Sequence, residues 1–144
     1  MLPIRPLLVL AAALLFQVPV AAHHSYAMFD QTRSATVKGT VRALEWTNPH
    51  VWVWINVTDD AGGTAVFGFE SNAPSELARF FGWNKNILEV GAPVTVEYSP
   101  LKSGRNGGAL HTITFADGRS LRTPRSEASY RTGPPAQPSP GTAK

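Results

Sequence analysis

From Ala35 the chain alternates with a period of two: Val37, Gly39, Val41 and Ala43 fall on one side, and Thr36, Lys38, Thr40 and Arg42 on the other. That pattern predicts a half-buried first strand ending near Trp46. After Thr47-Asn48-Pro49, where the proline holds Asn48 extended, the alternation resumes over residues 50–58. Val51, Val53, Ile55 and Val57 form the aliphatic side and the expected core; His50, Trp52, Trp54 and Asn56 face outward. Asp59 to Gly63 supplies a hairpin turn, and Thr64 to Glu70 the returning third strand. On that strand Phe67 and Phe69 are assigned to the core, because the opposite parity carries Glu70. Ser71-Asn72-Ala73-Pro74 signals a helix start; Leu77, Phe80 and Phe81 are available to pack inward, and Gly82 stops the helix. Val94, Val96 and Tyr98 share one side of a fourth strand, Pro93 to Tyr98. Residues 102–108 (KSGRNGG) read as a flexible loop, Ala109 to Phe115 as a fifth strand, and Asp117-Gly118 as a turn into a short sixth segment around Leu121.

Three strands, a short helix and two more strands predict an all-β fold with one short helix, a small OB-like five-stranded Greek-key barrel. A sandwich with a capping helix is the alternative. The barrel is expected over residues 23–122. Ahead of it, Arg5, the apolar run from Leu7 to Phe16, Pro19 and the small residues Val20-Ala21-Ala22 read as a signal peptide over residues 1–22. The run is too short to span a bilayer, so the processed protein is expected in the periplasm or secreted, not spanning the membrane, with His23 as its first residue. Behind the barrel, residues 123–144 carry five prolines and Tyr130 as their single large apolar side chain. Such a segment buries too little to offset its ordering entropy and reads as a disordered Pro-rich tail.

Composition narrows the chemistry. The absence of cysteine excludes disulfides, thiolate metal sites and cysteine nucleophiles. The pI of about 9.6 comes from the ends: between His23 and Arg122 there are nine Lys/Arg and nine Asp/Glu. A formally neutral body argues against a nucleic-acid partner.

Six short stretches carry a resemblance: HHSYAMFD at 23–30, VKGTV at 37–41, EWTNPH at 45–50, Gly82-Trp83, VGAPVTV at 90–96 and ADGR at 116–119. Together they resemble a family of small exported bacterial proteins known only as a domain of unknown function. The resemblance implies an OB-like barrel and a periplasmic location, and brings no activity with it.

Candidate chemistry rests on position. A mature N-terminal His23 would offer its α-amine and imidazole Nδ1 to one ion, and His24 and His50 could add imidazoles; such a nitrogen-rich open site suits copper. His111 shares parity with Ile113 and Phe115 and is expected to be a packed core histidine. Trp52 and Trp54 face outward beside His50, and Gly68 on the neighbouring strand would leave a shallow notch, together a surface on which a sugar, peptide or base could stack. Lys102 and Arg105 in the KSGRNGG loop could cradle an anion, although a mobile hairpin loop is the simpler reading. Ser25, His24 and Asp30 lack the strand-turn-helix elbow of a hydrolase, and no paired-carboxylate motif stands out. The expectation is therefore a small binding protein without catalysis of its own, taking a metal ion or small ligand, with copper the candidate cofactor. The alternatives are an interaction module whose tryptophan face docks a glycan, peptide or periplasmic protein partner, and a copper-dependent redox enzyme.

Overall fold

The computed structural model describes residues 26–126, which form six strands and one short α-helix. The strands are β1 (Ala35–Glu45), β2 (Trp52–Thr58), β3 (Thr64–Glu70), β4 (Pro93–Pro100), β5 (Gly107–Phe115) and β6 (Ser120–Arg122); the helix α1 (Pro74–Phe81) lies between β3 and β4. The sheet runs β3-β2-β1-β4-β5-β6, and β3 also pairs with β5 in parallel. That last pairing closes β1 to β5 into the expected five-stranded mixed barrel, with the OB-like element order.

β1 belongs to both halves of the barrel. Ala35 to Thr40 pair with β4, and Thr40 to Glu45 with β2. The strand bends to serve both, and a register shift lies between Val41 and Ala43. Gly39 stands where the backbones close in: a β-carbon there would lie 2.2 Å from the Asn56 carbonyl oxygen. Alternation then fills the interior with Val41, Val53, Ile55, Phe69, Val96 and Ile113. Phe69 meets Tyr98 edge-on, with ring centroids 4.9 Å apart. The expected aliphatic side of β2 is the core side: Val51, Val53 and Ile55 are fully buried.

α1 closes one side of this core with Leu77. Gly82 ends the helix in the left-handed region at φ 73°, a conformation that favours glycine. Phe80 does not pack inward as expected. It is exposed, and Arg79 lies over its ring. Trp83, one residue past the cap, is buried instead, and its indole N–H donates to the Arg122 carbonyl at 2.8 Å.

Three further expectations change. Gly107 and Gly108 are the start of β5, where they pair with Gly68 and Phe69. Gly107 has φ 121°, and a β-carbon there would lie 2.0 Å from the Gly68 carbonyl oxygen, so the parallel seam tolerates no side chain at this position. His111 is not a core residue. The β4–β5 register passes from Glu97↔Thr112 to Tyr98↔Leu110, which leaves His111 as the extra residue of a bulge and gives the core places to Leu110 and Ile113. Finally, the packed chain runs past Arg122. Thr123 is fully buried; its amide donates to the His111 carbonyl at 3.0 Å and its hydroxyl to the Leu110 carbonyl at 2.8 Å. Arg125 and Ser126 are buried as well.

Candidate functional site

The outer side of β2, β3 and β5 is where the sequence placed its aromatic candidates. Register aligns Trp52 with Glu70 and Glu70 with Ala109, while Trp54 lies opposite Gly68. The two indoles stack, with centroids 5.7 Å apart and planes 16° from parallel. A β-carbon on Gly68 would lie 2.6 Å from the Trp54 ring, so the expected notch is filled by Trp54 itself. Both tryptophans are half-buried. They form one wall of a groove of about 240 Å³, shared with Met28, Phe29, Arg105 and Asn106.

Glu70 is the member of this surface that sequence reasoning missed. Strand parity sends it outward, yet it is 3% exposed. Its Oε1 lies 2.8 Å from His50 Nδ1, and its carbonyl oxygen accepts a 2.9 Å hydrogen bond from Arg125 Nη1. Burial raises the Glu70 carboxyl above the usual carboxylate range, against the opposing pull of His50 and Arg125. His50 is placed by its neighbour: Val51 pairs through its backbone with Ser71 and Asn72, which docks the corner after Asn48-Pro49 onto the link between β3 and α1. Nδ1 is the ring nitrogen nearer the carboxylate and Nε2 the one farther from it, and the side chain retains 29% exposure. A buried acid beside its histidine partner is a signal the sequence carried only as a lone charge in the strand TAVFGFE.

The N-terminal segment lies against the same region. Tyr26 to Met28 form a 3-10 turn, Phe29 is buried and bridges to Leu101, and the Asp30 amide donates to the Pro100 carbonyl at 2.8 Å. The Arg125 guanidinium sits 4.5 Å from the Tyr26 ring centroid. Phe29 also separates the tryptophan groove from a second cavity, of about 350 Å³, which holds Ser99, His111 and Arg125. His111 Nε2 and Ser99 Oγ are 2.9 Å apart there.

Of the sequence-predicted metal residues, His50 is seen paired with Glu70, while His23 and His24 lie outside the described residues. Among the described residues no group of three or more His, Asp or Glu is placed to hold a metal ion, and no helix is long and apolar enough to cross a membrane. No curated protein and no solved structure matches the chain. A family model matches residues 12–111, a stretch that takes in the histidine start, the His50 corner, Glu70 and the whole of β1 to β4, and the chain accordingly belongs to that family of unknown function (DUF6152).

Proposed function

We propose that this is an exported periplasmic binding protein that takes up copper at His50 together with a mature N-terminal His23 and its neighbour His24. The observation that carries this reading is the Glu70–His50 pair. Histidine ligands are commonly oriented by a carboxylate on the ring nitrogen that does not meet the metal, and the buried Glu70 carboxylate, whose Oε1 lies 2.8 Å from Nδ1 without an aligned hydrogen bond, is close enough to supply that arrangement once the ring is aligned. The path of the chain supports it further. Tyr26 stacks on Arg125, and Arg125 bonds the backbone of Glu70. His24 precedes Tyr26 by two residues, at most about 7 Å of extended chain. Copper bound there would be held by the α-amine and imidazole of His23 with Nε2 of His50, and binding would weaken as protons compete for those nitrogens.

The test is a Cu(II) titration of protein that begins at His23, followed by electron paramagnetic resonance. One nitrogen-rich site is expected; His50→Ala should weaken it, and Glu70→Gln should weaken it less. One extra alanine ahead of His23 moves the amine and should reduce affinity severely. Equal affinity with and without that alanine would overturn the reading. In that case the Trp52/Trp54 groove becomes the binding surface for a glycan, peptide or protein partner, a reading favoured by the stacked indoles beside Arg105 and Asn106.

A further inference from the structure

We infer that the second cavity is a binding site for a small organic carboxylate, with Arg125 as its anchor. Arg125 is 9% exposed, and its guanidinium is committed at only one corner, where Nη1 donates to the Glu70 carbonyl. Its Nε and Nη2 are buried and have no hydrogen-bond partner. Those two nitrogens share the remaining edge of the planar group, and their N–H bonds run parallel, in the spacing of the two oxygens of a carboxylate. Two buried guanidinium donors without a protein acceptor are a costly arrangement, and one that an anion bound at this edge would relieve.

The surroundings specify the anion. Tyr26 and Phe29 lie 4.5 and 5.9 Å from the guanidinium carbon by ring centroid, and they fix the plane of the fork. The same rings, with Ala109, give the cavity apolar walls. Arg33 adds a second positive charge, while the hydroxyls of Ser34 and Ser99 are paired with Glu97 and His111. No Asp or Glu is among the described residues that line it. The nearby carboxylates lie outside its lining: Glu70 sits against His50 and also attracts Arg125, Glu97 accepts from the Ser34 hydroxyl, and Asp30 accepts from Thr32, whose hydrogen bonds hold Asp30 below the usual carboxylate range. About 350 Å³ falls at the small end of ligand pockets. A planar fork with one edge free of protein acceptors, a second cation at Arg33 and aromatic walls together select a carboxylate on a compact apolar body, and this requires no metal at His50.

Benzoate is a suitable probe, with benzamide as its neutral counterpart and inorganic phosphate as a tetrahedral anion. The full processed chain, labelled with ¹⁵N, is titrated with each while the Arg125 Nε–H signal and the backbone amides of residues 26–34 are followed. Benzoate should shift the Nε–H resonance saturably, and benzamide should not. Arg125→Lys, which keeps the charge and loses the fork, should weaken benzoate by at least about tenfold; Arg33→Gln should weaken it by a smaller factor. Should Arg125→Lys fail to fold, the Nε–H shift of the unaltered protein and the Arg33→Gln comparison still decide the matter. An unmoved Nε–H signal under saturating benzoate, equal binding of benzamide, or tighter binding of phosphate at the same signal would each overturn the assignment.

Discussion

Two truncations, one ending the chain after Ser126 and one after Arg122, isolate what four residues of the supposed tail contribute. The shorter chain loses the Thr123 amide and hydroxyl bonds to the carbonyls of His111 and Leu110, and the Arg125 bond to the carbonyl of Glu70. At about 1 kcal/mol net for each hydrogen bond, that is about 3 kcal/mol. The guanidinium over Tyr26 adds about 0.5–1 kcal/mol. Burying a guanidinium with two unpaired donors opposes these gains by at least about 1–3 kcal/mol. The balance is at most about 0.5–3 kcal/mol in favour of the longer chain, against the 5–15 kcal/mol typical of a small domain. Urea unfolding followed by tryptophan fluorescence reads the difference directly, because Trp83 donates to the last residue of the shorter chain. Equal midpoints for the two chains would refute the reasoning, and would mean that Thr123 to Ser126 rest on the barrel without supporting it.

The parity of β2 gives a second prediction: Val53→Asp places an unpaired carboxylate in a fully buried position and should cost several kcal/mol or prevent folding. Trp52→Ala and Trp54→Ala, on the half-buried outer side, should leave a folded protein with losses of about 1–3 kcal/mol; denaturation of the three variants checks the order, and the opposite ranking would reverse the sides. The raised carboxyl of Glu70 gives a third. Because the folded state holds this proton more tightly than the unfolded chain, the contribution of Glu70 to stability is complete below the ordinary value of 4.5 and is lost as pH rises through the folded-state value. The stability of the unaltered protein relative to Glu70→Gln should therefore fall as pH rises above about 4.5; a gap that widens with pH would show that attraction to His50 outweighs burial.

The strands of the barrel were legible because each has one dry side. Val51, Val53 and Ile55 announce β2 and its orientation, and Val94, Val96 and Tyr98 do the same for β4, since period two and burial coincide there. Periodicity fails where the backbone breaks it. His111 inherits the parity of Ile113 only in an unbulged strand, and the bulge is set by the partner β4, which local sequence does not encode. Gly107-Gly108 looks like a loop because glycine lowers strand propensity; the need for glycine comes from Gly68 at the first position and from the Ser99 carbonyl at the second, of which Gly68 is distant in sequence. The candidate site was legible in part for the same reason. His50, Trp52 and Trp54 are local features of one strand and its corner. Glu70 becomes a buried partner of His50 in a tertiary setting that includes Arg125, which lies in a segment whose proline content pointed away from order.

The parallel pairing of β3 with β5 spans three residue pairs, the shortest seam among those that close the barrel. Gly107 can meet Gly68 only after the whole of α1 and β4 has been laid down between them, so the seam bears the entropy of closing a long loop and returns few bonds for it. It is the natural last step of folding and the place where the native barrel opens first, which amide exchange at Ala109 measured against Val53 would register. The surface formed by Trp52, Glu70 and Ala109 lies across this opening. Arg125, arriving from the strand pair on the β5 side and bonded to Glu70 on the β3 side, is a latch across it. A ligand that tightens the grip of Arg125 would therefore slow the breathing of the barrel as a whole.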